Sequence, residues 1–272
     1  MTEPPSCSSL TGDSEGIVFV IEGGVAAVTI DREDDQNRMT SAALQRLLAL
    51  ARALTDDAAV QAVIVSGSGQ SYFSTGLLNP VLRGSMTKEE VVALVRLANR
   101  AFDALDALPQ IVIAAINGAV RAGAVELALA CDIRLAAQHA TLAMPEALWG
   151  GFPGAGAPVR LPAIVGRARA LELICTGREI DAQEMLQIGF AQSLHPAADL
   201  IAQARGLAFR IASAGPLAVR GTKRIVRLRT EPGLAAAREL SDALRNALEW
   251  SEDVAEGIAA HRENRTPSFR GR

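Results

Sequence analysis

The stretch from residue 111 to residue 136, IVIAAINGAVRAGAVELALACDIRLA, decides the fold. Its first six residues are an apolar run typical of a buried strand, and an Asn-Gly turn follows. The segment AGAVELALA predicts a short helix, and CDIRLA predicts another strand. This order favours right-handed crossover units around a mostly parallel α/β sheet.

Upstream, the chain follows the same alternation. The β-branched runs IVFVIEG and VAAVTID, separated by two glycines, predict a hairpin. The short apolar run VQAVIVSG predicts a buried strand. The chain therefore begins with strands that lead into the central stretch.

Two helices are marked by their N-terminal signals. Thr40 precedes SAALQRLLALARAL, whose leucines recur at helical spacing. Thr87 and Glu90 form a capping-box pattern that opens an amphipathic helix through about Leu105. Both helices lie between predicted strands, as crossover units require.

Downstream of about Gly156, strand-like runs almost vanish, with FAQSLH as a short exception. We therefore predict a disordered tail over residues 1–16, an α/β core over 17–200 and a helical region over 201–272. Successive helical stretches are predicted to begin near Arg167, Asp181, Pro196, Pro216, Gly233 and Glu252.

The composition indicates a globular protein with an aliphatic core, since 49% of the 272 residues are hydrophobic but only 4% are aromatic. A net charge of −3 gives no long-range attraction for nucleic acid or anionic lipid. Three cysteines without paired spacing favour a reduced, cytoplasmic setting. The polar first residues do not resemble a signal peptide, and no apolar run approaches the ~20 residues of a membrane span.

Missing motifs exclude several enzyme classes. There is no Gly-x-Ser-x-Gly elbow, and His139, His195 and His261 lie far apart in sequence. They form no close metal-ligand pair, so no metal site is predicted. The glycine-rich segments 67–70 and 150–156 lack the remaining features of nucleotide-binding loops.

One glutamate lies in unusually apolar sequence beside a helix start. Glu126 follows Gly123 by about one helical turn, in a stretch that is otherwise apolar through Ala130. A buried carboxylate costs free energy unless it is paired or has a chemical task. The first N–H groups of a helix have no internal partner, so Gly123 offers a hydrogen-bond donor.

A second glutamate and a second donor are candidates on similar grounds. Pro145 fixes the backbone before Glu146, and desolvation among its nonpolar neighbours would raise the pKa of that carboxyl group toward a range useful for proton transfer. The alternative is a helix-start glutamate that stabilises the dipole. Gly76 lets the backbone turn so that the N–H of Leu77 points outward, although an ordinary loop is an alternative here too.

Together these segments resemble the crotonase, or enoyl-CoA hydratase/isomerase, superfamily from about Ile17 to Phe269. Several blocks in the right order are more specific than any single motif. The resemblance implies a spiral of ββα units with a helical C-terminal region that supports homotrimers or homohexamers. The blocks are FSTGL, the ING…AGAVELALACDIRLA segment, MPEALWG…PGAGAPVRLP and SEDVAEGIAAHRENRTPSF.

The resemblance also implies roles. Leu77 and Gly123 match the positions whose N–H groups donate to a thioester oxygen. Glu126 and Glu146 match the two catalytic glutamates of hydratases, whereas isomerases commonly keep only the second. The implied substrate is an acyl-CoA, with no permanently bound cofactor. The implied residues for binding substrate and CoA are Thr75, Gly76, Asn79 and Trp149.

Some positions depart from the family pattern. Leu78 stands where Asp is usual, Ala122 and Ala124 flank Gly123 where glycines are usual, and extra methyl groups there would narrow the pocket. Arg83 is a candidate for CoA phosphate, with a solvated surface arginine as the alternative. Two further departures are Arg121, where an apolar residue is common, and His261, where Phe is common.

Retention of both glutamates favours reversible hydration of a 2-enoyl-CoA to a 3-hydroxyacyl-CoA. Three alternatives stay open at this stage: isomerisation of an enoyl-CoA, dehydration of a carnitinyl-CoA-type substrate, and acyl-CoA binding without catalysis.

Overall fold

The computed structural model describes residues 7–230 and 249–268, with 238–239, 242–243 and 246–247 between them. Short 3-10 turns lie at Cys7–Leu10, Glu33–Asp35 and Pro145–Trp149. The strands of the described residues are β1 Gly12–Ser14, β2 Ile17–Glu22, β3 Val25–Ile30, β4 Ala62–Gly67, β5 Tyr72–Ser74, β6 Ile111–Ile116, β7 Ala119–Arg121, β8 Ile133–Ala137, β9 Thr141–Ala143, β10 Ile180–Asp181 and β11 Ser193–His195. The helices of these residues are α1 Ser41–Asp56, α2 Pro80–Ser85, α3 Lys88–Asp106, α4 Gly123–Leu129, α5 Ala157–Val165, α6 Arg167–Thr176, α7 Ala182–Gln187, α8 Leu200–Ala212, α9 Pro216–Thr230 and α10 Glu252–Arg262.

The larger sheet has seven strands in the order β1-β2-β3-β4-β6-β8-β11 within the described residues. Strands β2 and β3 form the predicted hairpin, in which Glu22 lies opposite Val25. The two turn residues, Gly23 and Gly24, have φ of 55° and 77°, which glycine adopts without steric cost. From β3 onward, all neighbouring strands of this sheet are parallel.

The smaller sheet has the order β10-β9-β7-β5 within the same residues, and β5, β7 and β9 are parallel neighbours. Each unit of the chain supplies one long strand to the larger sheet, one short strand to the smaller sheet, and then at least one helix or turn. The units are β4–β5, β6–β7 and β8–β9. The predicted α/β class with repeated ββα units is therefore confirmed.

The predicted helix starts at Thr40 and Thr87 are confirmed. The Thr40 side chain accepts a hydrogen bond from the Ala43 N–H. Thr87 and Glu90 form a reciprocal capping box that satisfies two N–H groups at the start of α3. Local polar side chains thus fix where both helices begin.

Some predicted boundaries differ from the structure. Of the tail expected to be disordered over residues 1–16, the described part is ordered, because β1 pairs antiparallel with β2. Helix α5 was not predicted, since its two prolines disguise it; Pro158 lies in the first turn, where no N–H is needed, but Pro162 lies inside the helix. The helix predicted near Pro196 begins at Leu200, after a turn in which the Pro196 carbonyl accepts from the Asp199 N–H.

The predicted helix near Gly233 lies outside the described residues.

Helix α8 buries Leu200, Ala204 and Ala208 in the same core as the larger sheet. The proposed division near residue 200 stays a prediction. None of the helices in the described residues is long and apolar enough to span a membrane.

Candidate functional site

The three parallel strands of the smaller sheet deliver the candidate residues to one edge. Gly76 and Leu77 follow β5, Gly123 follows β7, and Glu146 follows β9. Because parallel strands end on the same side, the loops after them converge. Residues that are up to 69 positions apart in sequence therefore meet in one pocket.

Leu77 and Gly123 are immediate neighbours. A Cβ atom placed on Gly123 would lie 3.5 Å from the Leu77 N and 2.8 Å from the Leu77 Cγ. Among the described residues, neither of these two N–H groups donates to a protein acceptor. The two donors are therefore adjacent and available to a ligand.

Gly76 makes this close approach possible. Its φ is 85°, and a Cβ atom there would lie 2.7 Å from the Gly123 N and 2.8 Å from the Arg121 O. Both the dihedral and the missing side chain therefore require glycine. Gly76 lies behind the two donors and sets their spacing.

Glu126 lies on α4 and is only 2% exposed. Its Oε1 accepts hydrogen bonds from the Ala155 N, at 2.7 Å, and the Ala157 N, at 3.0 Å. Its Oε2 accepts no hydrogen bond from the described residues, and Glu126 lines the pocket. One oxygen is thus fixed by the backbone while the other remains available to a ligand.

The pKa of Glu126 is raised from an ordinary 4.5 to about 7. Burial is the main cause, because removal of water penalises the ionised form. The N–H donors at Ala157 and Ala155 and the charge of Arg160 act in the opposite direction and favour the carboxylate. The balance leaves a carboxyl group that both gains and loses a proton near neutral pH.

Arg160 supports this arrangement from α5. It is 7% exposed and forms ion pairs with Asp103 and Asp106 on α3. Its backbone N–H donates to the Gly156 O at 2.9 Å, which closes the first turn of α5. Arg160 therefore anchors to α3 the loop that supplies both donors to Glu126.

Glu146 lies on the 3-10 turn Pro145–Trp149 and is half-buried. This turn packs closely on α10: Gly150 leaves no room for a side chain beside the Asp253 carbonyl, and Gly257 leaves none beside the Trp149 carbonyl. The position of Glu146 thus depends on packing between the turn and α10. The expected rise in the pKa of Glu146 stays a prediction.

The pocket encloses about 430 Å³, part of it open to solvent. Leu77, Gly123, Glu126 and Glu146 all line it, as does the candidate binding residue Trp149. Asn79 lines it as well, but its side chain caps α2 by accepting from the Leu82 N–H at 2.9 Å.

Thr75 and Gly76 are not part of the pocket wall. The Thr75 backbone N–H donates to the Gln36 O at 3.1 Å, and its Oγ1 lies 3.5 Å from the same carbonyl. Gly76 lies behind the wall, where it spaces the two donors. The structure therefore gives Gly76 a supporting position.

Arg83 is neither a solvated surface residue nor exposed for a phosphate. It is 7% exposed and forms a bidentate ion pair with Glu249, which is 2% exposed. The pair belongs to the pocket wall, because Arg83 lines the pocket. No local pattern indicates this contact, because the two residues are 166 positions apart.

The departures from the family pattern have different consequences. Leu78 and Ala122 line the pocket, whereas Ala124 is buried but is not among the lining residues. Ala122 has φ 49° and ψ −128°, a conformation that disfavours any side chain. Arg121 turns to Glu179 and to Thr141, and His261 lies exposed near the end of α10.

Sequence reasoning missed several pocket residues. The segment 150–156, rejected as a nucleotide loop, supplies the Ala155 donor to Glu126. The glycines of this segment were the signal that could have indicated a special backbone conformation, since Gly156 has φ 129°. Val95 and Phe152, which complete the wall, carry no local signal because helices and loops commonly contain such residues.

The fold and the pocket define the class of this chain: an α/β protein of ββα units in which two glutamates line one pocket together with a pair of backbone donors. Comparison with known proteins is consistent with this class. The family model described as enoyl-CoA hydratase/isomerase matches residues 20–272. The chain therefore belongs to the enoyl-CoA hydratase/isomerase family, which lies within the crotonase superfamily.

Individual relatives cover nearly all or most of the chain. A crotonyl-CoA hydratase of Syntrophomonas wolfei is 30% identical over 94% of this chain and 98% of its own. A short-chain-enoyl-CoA hydratase of Clostridium acetobutylicum is 34% identical over 77% of this chain and 80% of its own. The crystal structure of an enoyl-CoA hydratase from Bacillus anthracis has a TM-score of 0.77 and 34% identity, covering 94% of this chain and all of that one.

Proposed function

We propose that the protein catalyses the reversible hydration of a 2-enoyl-CoA to a 3-hydroxyacyl-CoA. One observation carries the proposal: a buried carboxylate with a pKa of about 7 shares a pocket with two adjacent, available N–H donors. The hydratase names of similar proteins from Syntrophomonas wolfei and Clostridium acetobutylicum support the same reaction. CoA enters as part of the substrate thioester, and no cofactor is held permanently.

The two N–H groups of Leu77 and Gly123 receive the thioester oxygen. When water adds to C3, the electrons of the double bond move toward C2 and the carbonyl, so negative charge develops on that oxygen. Preorganised donors stabilise this charge, and loss of one such donor costs about 10²–10³ in rate.

Glu126 acts chiefly on water. Its Oε1 is held by two backbone N–H groups, so its Oε2 accepts a hydrogen bond from the attacking water. As the water oxygen bonds to C3, one water proton passes to the carboxylate. A pKa near the working pH suits a base that must be ionised before the step and deprotonated again after it.

Glu146 acts chiefly on the proton at C2. In its protonated form it supplies the proton that completes the addition, and in the reverse direction its carboxylate removes that proton. Glu146 lies on the turn after β9 and Glu126 lies on α4, so different elements carry the two carboxyl groups that share the pocket. The net reaction adds one water, and the enzyme is restored once Glu126 has lost the proton it gained and Glu146 has regained, from solvent, the proton it gave to C2.

Conversion of each glutamate to glutamine tests the assignment. Glu126→Gln and Glu146→Gln are each expected to lower kcat for a 2-enoyl-CoA by about 10²–10⁴, because a positioned acid or base is lost. Glu89→Gln, the same change on an exposed residue of α3, is the matched control. Near-normal turnover in both pocket variants would overturn the assignment.

Exchange in heavy water separates the two roles. With a 3-hydroxyacyl-CoA, Glu126→Gln is expected to keep exchange of the C2 proton with solvent while losing dehydration. Glu146→Gln is expected to lose both. Conversion of a 3-enoyl-CoA to its 2-isomer without hydration would favour an isomerase, and CoA-ester binding without turnover of any substrate would favour a silent paralogue.

We also propose a setting for the reaction. Thr75, Asn79 and Trp149 contact the CoA portion or the acyl group, with Gly76 as a spacer. The helical C-terminal region forms homotrimers or homohexamers, and the protein works in the cytoplasm without nucleic-acid or membrane partners. Sedimentation of the full chain measures the assembly.

A further inference from the structure

The buried ion pair of Arg83 and Glu249 takes no part in the proposed hydration. Arg83 lies on α2 and is 7% exposed, and Glu249 precedes α10 and is 2% exposed. Two charged groups in an interior gain little net stability, because each loses its water. A purely structural role would be served equally well by two apolar residues.

The geometry of the pair leaves one donor group of Arg83 available. The Arg83 Nε and Nη2 bond the two oxygens of Glu249, with 3.3 Å between Nε and Oε1. Nη1 lies beside Gly151, where a Cβ atom would be only 3.0 Å away. Among the described residues no acceptor bonds Nη1, and Arg83 lines the same pocket as Glu126 and Glu146.

The position of Arg83 selects which part of the substrate it meets. The thioester oxygen is fixed at Leu77 and Gly123, and CoA is too large for the pocket and must leave through its open side. Asn79 on the wall is exposed, whereas Arg83 and Val95 are 7% and 6% exposed. Arg83 thus lies in the buried part of the wall, which suits the acyl chain better than the polar CoA portion.

Charge then selects the chemistry of that acyl chain. Glu249 already neutralises Arg83, and Glu126 and Glu146 add two further carboxyl groups to the wall. A substrate carboxylate would have to share Arg83 with the carboxylate of Glu249 and would lie in the same pocket as two further carboxyl groups. An uncharged oxygen acceptor, in contrast, satisfies Nη1 without adding charge.

We propose that Arg83 determines substrate specificity by donating a hydrogen bond to an uncharged oxygen, a hydroxyl or keto group, on the acyl chain beyond C3. This inference rests on the proposed hydratase function and narrows its substrate class. A fully apolar acyl chain would leave the Nη1 donor buried without a partner, which costs free energy.

Kinetics on matched substrates test the proposal. Across a series of increasing chain length, kcat/KM is compared for four kinds of 2-enoyl-CoA. The acyl chain is plain, hydroxylated at its end, substituted with a keto group next to its terminal methyl group, or carboxylated at its end. At one chain length the hydroxyl or keto substrate is expected to exceed the plain one by about 10- to 100-fold, as a hydrogen bond to a charged donor allows. Preference for the plain or the carboxylated substrate at every length would overturn the proposal.

Variants identify the donor. Arg83→Lys keeps a positive charge for Glu249 but removes the planar guanidinium with its separate Nη1 donor. The ratio of kcat/KM between oxygenated and plain substrates is therefore expected to fall toward one. If that variant does not fold, the double variant Arg83→Met/Glu249→Met removes both charges together and is expected to reverse the preference. Arg178→Lys, a change in an exposed ion pair with Glu172 and Glu184, is the matched control. An unchanged ratio in either pocket variant would contradict the proposal.

Binding separates failure of this proposal from failure of the hydratase function. Dissociation constants for unreactive saturated acyl-CoA esters, plain and terminally hydroxylated, are measured by calorimetry with the wild-type chain. Tighter binding of the hydroxylated ester by a chain that turns over no 2-enoyl-CoA would support the subsite while overturning hydration. Turnover of plain 2-enoyl-CoA, together with equal binding of the plain and the hydroxylated esters, would support hydration while overturning the subsite.

Discussion

The two walls of the pocket are built differently. The inner wall, Leu77, Gly123 and Glu126, is buried and is positioned by backbone atoms: two strand ends set the donors, and two N–H groups hold the carboxylate. The outer wall, Glu146, Trp149 and Phe152, is half-buried and belongs to a turn and loop that pack on α10.

This difference indicates how each wall can be changed. Backbone atoms cannot be replaced by mutation, so the two inner-wall donors are displaced only where a new side chain would push their segments apart. The outer wall depends on contacts between segments that are distant in sequence, so it can vary with the substrate. Arg83, which lines the pocket from α2, likewise depends on a distant segment, because its partner is Glu249.

The largest expected effect comes from Gly76→Ala. Its Cβ atom would lie 2.7 Å from the Gly123 N, so either β5 or α4 must shift. Misplacement of the donors by about 1 Å is expected to lower kcat/KM at least ~10²-fold. Gly166→Ala is the matched control, since φ there is 82° but nothing lies within 4 Å; equal losses in both variants would show that backbone strain, not donor spacing, is responsible.

A smaller effect is expected from pH. If the ionised form of Glu126 is the base, kcat/KM should fall about tenfold per pH unit below its pKa of about 7. A pH–rate profile measures this. A profile that stays flat to well below pH 7 would contradict the buried base and place catalysis on the outer wall.

The free energy of unfolding should also depend on pH through Glu126, and it should decrease as the pH rises. Because the pKa of Glu126 is raised in the folded state, the folded chain binds its proton more tightly than the unfolded chain does. The resulting stability is fully present below about pH 4.5 and is lost as the pH rises to about 7. Urea unfolding across this range should show a decline in the wild type that Glu126→Gln lacks; parallel curves would contradict it.

The smallest effect is expected from Ala122→Gly. Ala122 has φ 49°, and relief of such strain, about 1–3 kcal/mol, exceeds the flexibility cost of glycine, about 0.5–1 kcal/mol. The free energy of unfolding should rise by about 1 kcal/mol. Ala124→Gly, the same change inside α4, should lower it by about 1 kcal/mol, so a decrease in both variants would argue against strain in the inner wall.

Prediction from the sequence succeeded where the signal is local. The hairpin at Gly23 and Gly24 and the start of α3 at Thr87 depend on neighbouring residues, and the structure has both. It failed at α5, where proline outweighed the helical pattern, and at Arg83, whose partner lies in a distant segment. The prediction that Leu77, Gly123, Glu126 and Glu146 share one site came from the family resemblance and not from local patterns.

The sequence by itself determined the order of the elements, through alternating apolar runs, capping residues and glycines at backbone turns. It also determined which reactive side chains are present, such as a glutamate in an apolar helix. These follow from interactions within a few residues along the chain. What only the tertiary structure decided is which groups meet. The donors at Ala155 and Ala157, the burial that raises the pKa of Glu126 and the pairing of Arg83 with Glu249 all arise between distant segments, because packing of parallel strands and helices sets those contacts.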